Sequence, residues 1–262
     1  MGEEHRPVGE LLRTWRVRRR LSQLSLSSRS GVSTRHLSFV ETGRSRPSRA
    51  LLLHVSDQLD VPLRDRNVLL VAGGFAPEYR SAHWSDPELD AVRATLRTVL
   101  DAHAASPAIV VDGQWNVVES NAAVATLLRD VDSSLLEPPV NSLRIALHPL
   151  GLAPRITNLG EWRAHLLERL ARQVESTADE SLKLLLDEVR QYPGGEVEPT
   201  QSLGATVPLR LLVDGVELSF LLMIASFGTP RDITVAELAI EAFYPADPVT
   251  ERILREAAEL RE

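Results

Sequence analysis

The chain has 262 residues, 44% hydrophobic and 25% charged, which is the balance of ordinary globular protein and enough length for two cores. With no cysteine, disulfides, thiolate zinc sites and cysteine nucleophiles are excluded; Met1 to Arg6 leads into no apolar stretch, and no run approaches the roughly 20 apolar residues of a membrane span, so a cytoplasmic protein without leader or anchor is expected. The net charge of −7 is unevenly spread: residues 1–66 hold 13 arginines against seven acids and the remainder 16 basic residues against 29 acids, so a basic module suited to a polyanion precedes an acidic body.

Val8, Leu11, Leu12 and Trp15 recur at helical spacing between arginines and predict a first helix. Ser22 is placed to cap a second helix that Gly31 stops, and Ser33 to cap a third in which Leu37 and Val40 face inward. Gly43 ends the third. Beyond the basic turn Arg44-Ser45-Arg46-Pro47, Ser48 opens a fourth helix with Leu51, Leu52, Val55 and Leu59, and a fifth runs from Arg64 to Ala72. Two short helices joined by a glycine turn, the second exposing Thr34, Arg35, His36 and Ser38, suit insertion into a DNA major groove. Arginine can donate two hydrogen bonds to guanine, hydroxyls reach bases or phosphates, and Gln23 is a candidate phosphate contact. The competing reading is a solvated basic face, and Phe39 either plugs the gap between helices or touches a thymine methyl.

Gly73-Gly74-Phe75-Ala76-Pro77 and Trp84-Ser85-Asp86-Pro87 punctuate the chain, and Asp86 can cap a helix to about Ala104 with a Leu89, Val92, Leu96, Val99, Leu100 stripe. Pro107 to Val118 predicts a hairpin with a two-residue turn at Asp112-Gly113, followed by a helix from Asn121 through Leu128. Two amphipathic helices lie between Trp162 and Tyr192, ended by Pro193-Gly194-Gly195. Val207 to Val213 and Leu218 to Phe227 predict strands about an Asp214-Gly215 turn, the second too apolar for a solvated face along its whole length; a helix from Val235 to Ala242 and an acidic one from about Thr250 complete the series.

Leu21-Ser22-Gln23, Gly31-Val32-Ser33, Leu37-Ser38, Glu41-Thr42-Gly43 and Pro47-Ser48 resemble the repressor-type helix-turn-helix of the xenobiotic-response-element (XRE) family, in which the residues matching Arg16 and Glu41 form a structural ion pair. The later stretch is similar to the MmyB-like (MltR-type) branch of these regulators through His148-Pro149-Leu150-Gly151-Leu152, Phe227-Gly228-Thr229-Pro230 with Asp232-Ile233-Thr234, and Glu237-Leu238-Ala239-Ile240-Glu241 before Pro245-Ala246-Asp247. The resemblance implies a multidomain bacterial regulator: an all-α, five-helix, lambda-repressor-like domain at 1–73, a linker and connecting helix at 74–105, and an α+β, PAS-like ligand-binding and dimerisation domain at 106–262. It also implies a homodimer on double-stranded DNA and a fatty-acid-like effector rather than a cofactor or metal. Ser120 departs from the pattern, standing where many relatives carry an aromatic.

The expected DNA contacts are Gln23, Ser33, Thr34, Arg35, His36, Ser38, Arg44 and Arg46. The expected pocket is Trp115, Leu127, Leu128, Phe220, Leu222, Met223 and Phe227, with His148 or Arg155 as polar anchor; a filled core is the alternative. A regulator whose second half only dimerises also stays open. An enzyme domain has little to stand on: there is no phosphate-cradling glycine loop, no His-Glu-x-x-His, no Gly-x-Ser-x-Gly and no catalytic set, and the seven histidines are scattered.

Overall fold

In the computed structural model, which describes residues 6–103, 105–194 and 206–259, serine oxygens open three of the five N-terminal helices. Met1–His5, Ala104 at the expected end of the connecting helix, and Gly195 of the expected stop lie outside the described residues. The helices are α1 (Val8–Arg18), α2 (Gln23–Ser30), α3 (Thr34–Glu41), α4 (Arg49–Gln58) and α5 (Leu63–Ala72). Ser22 Oγ accepts from Ser25 N at 3.0 Å, Ser33 Oγ from His36 N at 3.3 Å and Ser48 Oγ from Leu51 N at 3.2 Å. Each such cap satisfies a helix-end N–H and is worth about 1 kcal/mol. Gly31 closes α2 at φ 68°, a backbone state open to glycine without a Cβ clash. Leu12, Trp15, Leu26, Leu37, Val40, Val55 and Leu59 form the core. Gly9 sets its tightest contact: a Cβ there would lie 2.3 Å from the Val40 carbonyl oxygen and 2.8 Å from that of Glu41, so α1 meets the end of α3 only because residue 9 has no side chain.

These helices belong to the first of two compact units, comprising Met1–Ala82, Glu175–Thr177 and Pro230–Ala236; the second is His83–Val174, Ala178–Thr229 and Glu237–Glu262. Within the first unit the late segment is pinned by backbone and side chain: Ile233 N donates to Arg80 O at 2.7 Å, Ala82 N to Asp232 Oδ2 at 3.0 Å, and Thr234 Oγ1 to Ala82 O at 2.6 Å.

In chain order the later elements are α6 (Asp90–Ala102), β1 (Ala108–Val111), β2 (Val117–Ser120), α7 (Val124–Leu128), α8 (Ser142–Leu147), α9 (Leu159–Thr177), α10 (Glu180–Arg190), β3 (Leu209–Val213), β4 (Val216–Ser226), α11 (Ile233–Ala236), β5 (Ala239–Pro245) and α12 (Pro248–Glu259). The strands form one antiparallel sheet in the order β2-β1-β5-β4-β3. No helix among the described residues is long and apolar enough to cross a membrane.

Three expectations are corrected. The helix expected over Val235 to Ala242 is only the short α11, and Ala239–Pro245 is a strand with β1 on one side and β4 on the other. Two ladders of hydrogen bonds and the strand-favouring Ile240, Phe243 and Tyr244 override the helical preference of the Ala-Glu-Leu-Ala run. The hairpin expected to turn tightly at Asp112-Gly113 instead spends residues 112–116 between β1 and β2. Asp112 Oδ1 accepts from Gln114 N and Asn116 N, both at 2.8 Å, and Trp115 takes φ 66° with its side chain buried. Asp214-Gly215, by contrast, is the expected two-residue turn, with φ 50° and 80°. The third correction concerns β4, whose outer face is solvated despite its composition. Leu221 and Met223 are exposed there, because the cluster built on Leu96 and Leu100 of α6 covers Ala108, Val110 and Ala242 of β1 and β5.

Candidate DNA interface and ligand cavity

The first unit presents α3 with its apolar side inward and its polar side accessible. Leu37 and Val40 are fully buried, while Arg35 is exposed and Thr34, His36, Ser38 and Phe39 are half-buried. The Arg35 guanidinium stacks on the Phe39 ring at 5.2 Å from its centroid, one helical turn along. This limits the rotamers of the arginine before anything binds. Ser45 N donates to Phe39 O at 3.0 Å, which folds the basic turn back onto the end of α3; Arg44 and Arg46 are exposed in that turn, and neither is ion-paired among the described residues.

Behind this surface lies a buried ion pair. Arg16 Nε and Nη2 donate to Glu41 Oε1 and Oε2 at 2.6 and 2.8 Å, Arg16 Nη1 donates to Leu21 O at 2.7 Å, and Gln23 Nε2 donates to Glu41 Oε2 at 2.8 Å. Burial alone would raise the Glu41 pKa, but the hydrogen bonds from Arg16 and Gln23 and the nearby positive charge outweigh it and hold the carboxyl below its ordinary range. Gln23, expected at a phosphate, therefore has one amide N–H engaged by the scaffold; the other remains for a ligand. Ser33 is exposed at the start of α3, its Oγ accepting from His36 N.

The second unit holds a cavity of about 370 Å³ between the sheet and the helices, partly open to solvent. This lies within the range of small-molecule sites, and the walls are almost wholly apolar. The register explains which strand residues reach it. Ile109 pairs with Ser120 and Glu241, Phe243 pairs with Leu222, and side chains alternate along each strand, so all five face the same side. Trp115, Leu127, Leu128, Leu143, Ile145, Trp162 and Leu166 close the remaining walls.

Of the expected pocket residues, the structure brings together Trp115, Leu127, Leu128 and Leu222 and places the others elsewhere. Phe220 is fully buried in the core without lining the cavity, Met223 points to the outer face at 62% exposure, and Phe227 joins the cluster around α6. Neither expected anchor lines the cavity. His148 meets Tyr192 edge-on and accepts from Leu150 N at 3.1 Å through Nδ1; Arg155 donates to Leu127 O at 2.6 Å and pairs with Asp130 at 3.2 Å. Ser120, the departure from the family pattern, is a wall residue. Glu241, which sequence reasoning passed over inside an expected helix, is the ionisable side chain on the wall, 4% exposed. Only its partners in the sheet signal its place.

A capped helix pair presenting an arginine-bearing helix shares one chain with an apolar-walled cavity, and the family matches make that chain a DNA-binding transcription regulator with a ligand-binding domain. Residues 12–65 match the helix-turn-helix family and residues 92–257 match the family described as MmyB-like transcription regulator ligand binding domain. The chain belongs to the MmyB-like family. No curated protein matches it.

Proposed function

We propose that this protein is a sequence-specific regulator acting as a homodimer in the bacterial cytoplasm, with α3 of each copy in successive major grooves about 34 Å apart at an inverted repeat. A small apolar or amphipathic effector, fatty-acid-like in overall form, occupies the cavity and controls DNA affinity. The apolar-walled cavity of about 370 Å³ in a chain that carries a helix-turn-helix is the observation behind this reading. The strand order β2-β1-β5-β4-β3 supports a PAS-like reading of the sensor. Arg35, His36, Thr34 and Ser38 face base edges; Gln23, Ser33, Arg44 and Arg46 hold phosphates.

Segment Pro230–Ala236, part of the first unit, is the chain's only route from β4 to β5, and both strands wall the cavity. An effector that shifts either strand acts on the first unit through the backbone, to the extent of its differential affinity for the two arrangements.

Native mass spectrometry of freshly purified protein is expected to show a bound small molecule, and promoter-fragment titrations a salt-sensitive complex. Arg35→Ala weakens the specific complex by about 1–3 kcal/mol, whereas Arg44→Ala weakens all sequences alike and flattens the salt slope. Unchanged specific binding by Arg35→Ala removes that residue from the base-reading set, and absence of any salt-sensitive complex overturns the regulatory reading.

A further inference from the structure

Among the described residues that line the cavity, Ser120 is the exposed one; the others are buried or half-buried. Its place in the sheet explains why. β2 is an outer strand, and its side away from β1 is covered at Val117, whose N–H donates to Val140 O at 2.8 Å, whereas at Ser120 the strand ends and the chain turns toward α7. Asn121 fixes that end. Its N–H donates to Ala108 O at 3.0 Å, its Oδ1 accepts from Ala108 N at 3.1 Å, and its Nδ2 donates to Ser106 O at 2.8 Å. From Ser120 the row of paired residues runs inward to Ile109, 8% exposed, and Glu241, 4% exposed; Ile224, next along, is exposed but does not line the cavity.

We propose that the cavity opens beside Ser120 and takes a single-tailed amphiphile head outward: the tail lies among the inner walls, the polar end stays in water at Ser120, and the site selects the length of the tail rather than the charge of the head. This rests on the reading of the cavity as an effector site and assigns the direction of the ligand within it. A volume of about 370 Å³ is at the small end of ligand sites, which suits one tail. The inner wall offers a polar head little to hold. Indoles apart, its polar side chains are Ser142, whose Oγ donates to Trp115 O at 3.1 Å, and Glu241, taken up by Arg169 with Nη2 2.6 Å from Oε1; the Trp115 indole donates to Gln173 Oε1 at 2.7 Å. An ionised carboxylate or ammonium driven among these groups gives up its hydration without gaining a partner, and a few methylenes of tail do not offset that loss. At Ser120 the head keeps its water, while each methylene inside strengthens binding by about 4-fold.

The chain has no cysteine, so Ser120→Cys introduces a single thiol. In the full-length protein it is expected to react with a chromogenic aromatic disulfide about as fast as Ala225→Cys, an exposed position on the outer face of β4, and saturating decanoic acid should slow the first about 10-fold or more and leave the second unchanged. Binding to the parent protein at pH 8 is read by tryptophan fluorescence, with Trp115 and Trp162 in the wall. Decanoic acid is expected to bind about 15-fold more tightly than octanoic acid, and decanoic acid, decanol and decylamine within about 5-fold of one another, the size of an exposed charge effect. A Ser120→Cys thiol that does not react, or that reacts as fast with decanoic acid bound, overturns the assignment of the mouth; preference for one head group by about 100-fold or more puts the head inside and overturns the orientation. Either result leaves the effector cavity standing. Failure of every probe to bind overturns the cavity reading and the orientation with it. Should Ser120→Cys fail to fold, the head-group ranking on the parent protein still decides.

Discussion

Among the described residues two buried glutamates are each paired with an arginine, and the pairs are opposites. Arg16 and Glu41 in the first unit meet through two aligned hydrogen bonds, with Leu21 O and Gln23 taking up further capacity on each side. Arg169 and Glu241 in the second unit touch at 2.6 Å while an oxygen and a nitrogen go without hydrogen bonds. In the first pair every nitrogen and oxygen already has a hydrogen bond, as a scaffold requires. The second lies beside an apolar cavity, with its orphaned oxygen and nitrogen shut away from solvent. Each pair joins an arginine to a buried glutamate; what separates them is how many hydrogen bonds are made.

Breaking the saturated pair should have the largest effect. Glu41→Ala strands the Arg16 guanidinium, whose side chain is 11% exposed, and is expected to destabilise the first unit by about 3–5 kcal/mol in urea unfolding. A loss below about 1 kcal/mol would show that the pair contributes little. Gly9→Ala comes next. Its added carbon would push on the Val40 and Glu41 carbonyls, and a loss of about 1–3 kcal/mol is expected, with little change if α1 simply moves away.

The smallest and most discriminating effect is the pH response, which should have opposite signs at the two glutamates. Glu41 is held below its ordinary range, so its contribution is complete above the unfolded value of about 4.3 and disappears as pH falls through the folded one. Glu241 is raised, mainly by burial, with Arg169 opposing incompletely. The folded state therefore binds its proton first, and stability rises as pH falls from above the folded value toward about 4.3. Urea midpoints of the parent protein and Glu241→Gln between pH 4.5 and 8 should converge on the acid side, with a slope of at most about 1.4 kcal/mol per pH unit. Divergence toward acid would mean that Arg169 wins and that the two pairs are alike.

Much of the first unit was legible because its signals are local. Ser22, Ser33 and Ser48 cap helices through N–H groups three residues away, and Gly31 needs only its own missing Cβ. The Asp214-Gly215 turn is local in the same sense. The likeness to regulators carried the reading from helices to DNA, and the family matches agree with it.

The sensor site was legible only in part, since its walls come from strands whose partners lie far along the chain. Within its own neighbours, Ala239-Ile240-Glu241-Ala242 reads as helix with an acid facing solvent. Pairing with β1, some 130 residues earlier in the chain, and with β4 makes it a central strand and turns that acid into the cavity. The same pairing leaves Leu222 inside and Met223 outside, a choice that composition cannot make because both are apolar. The amino-acid order by itself determined where helices start and stop, where the tight turn falls, and which module carries the positive charge, because those depend on contacts a few residues apart. Which side chains line the cavity, and which glutamate is left short of hydrogen bonds, was decided only when five strands from distant parts of the chain took one register.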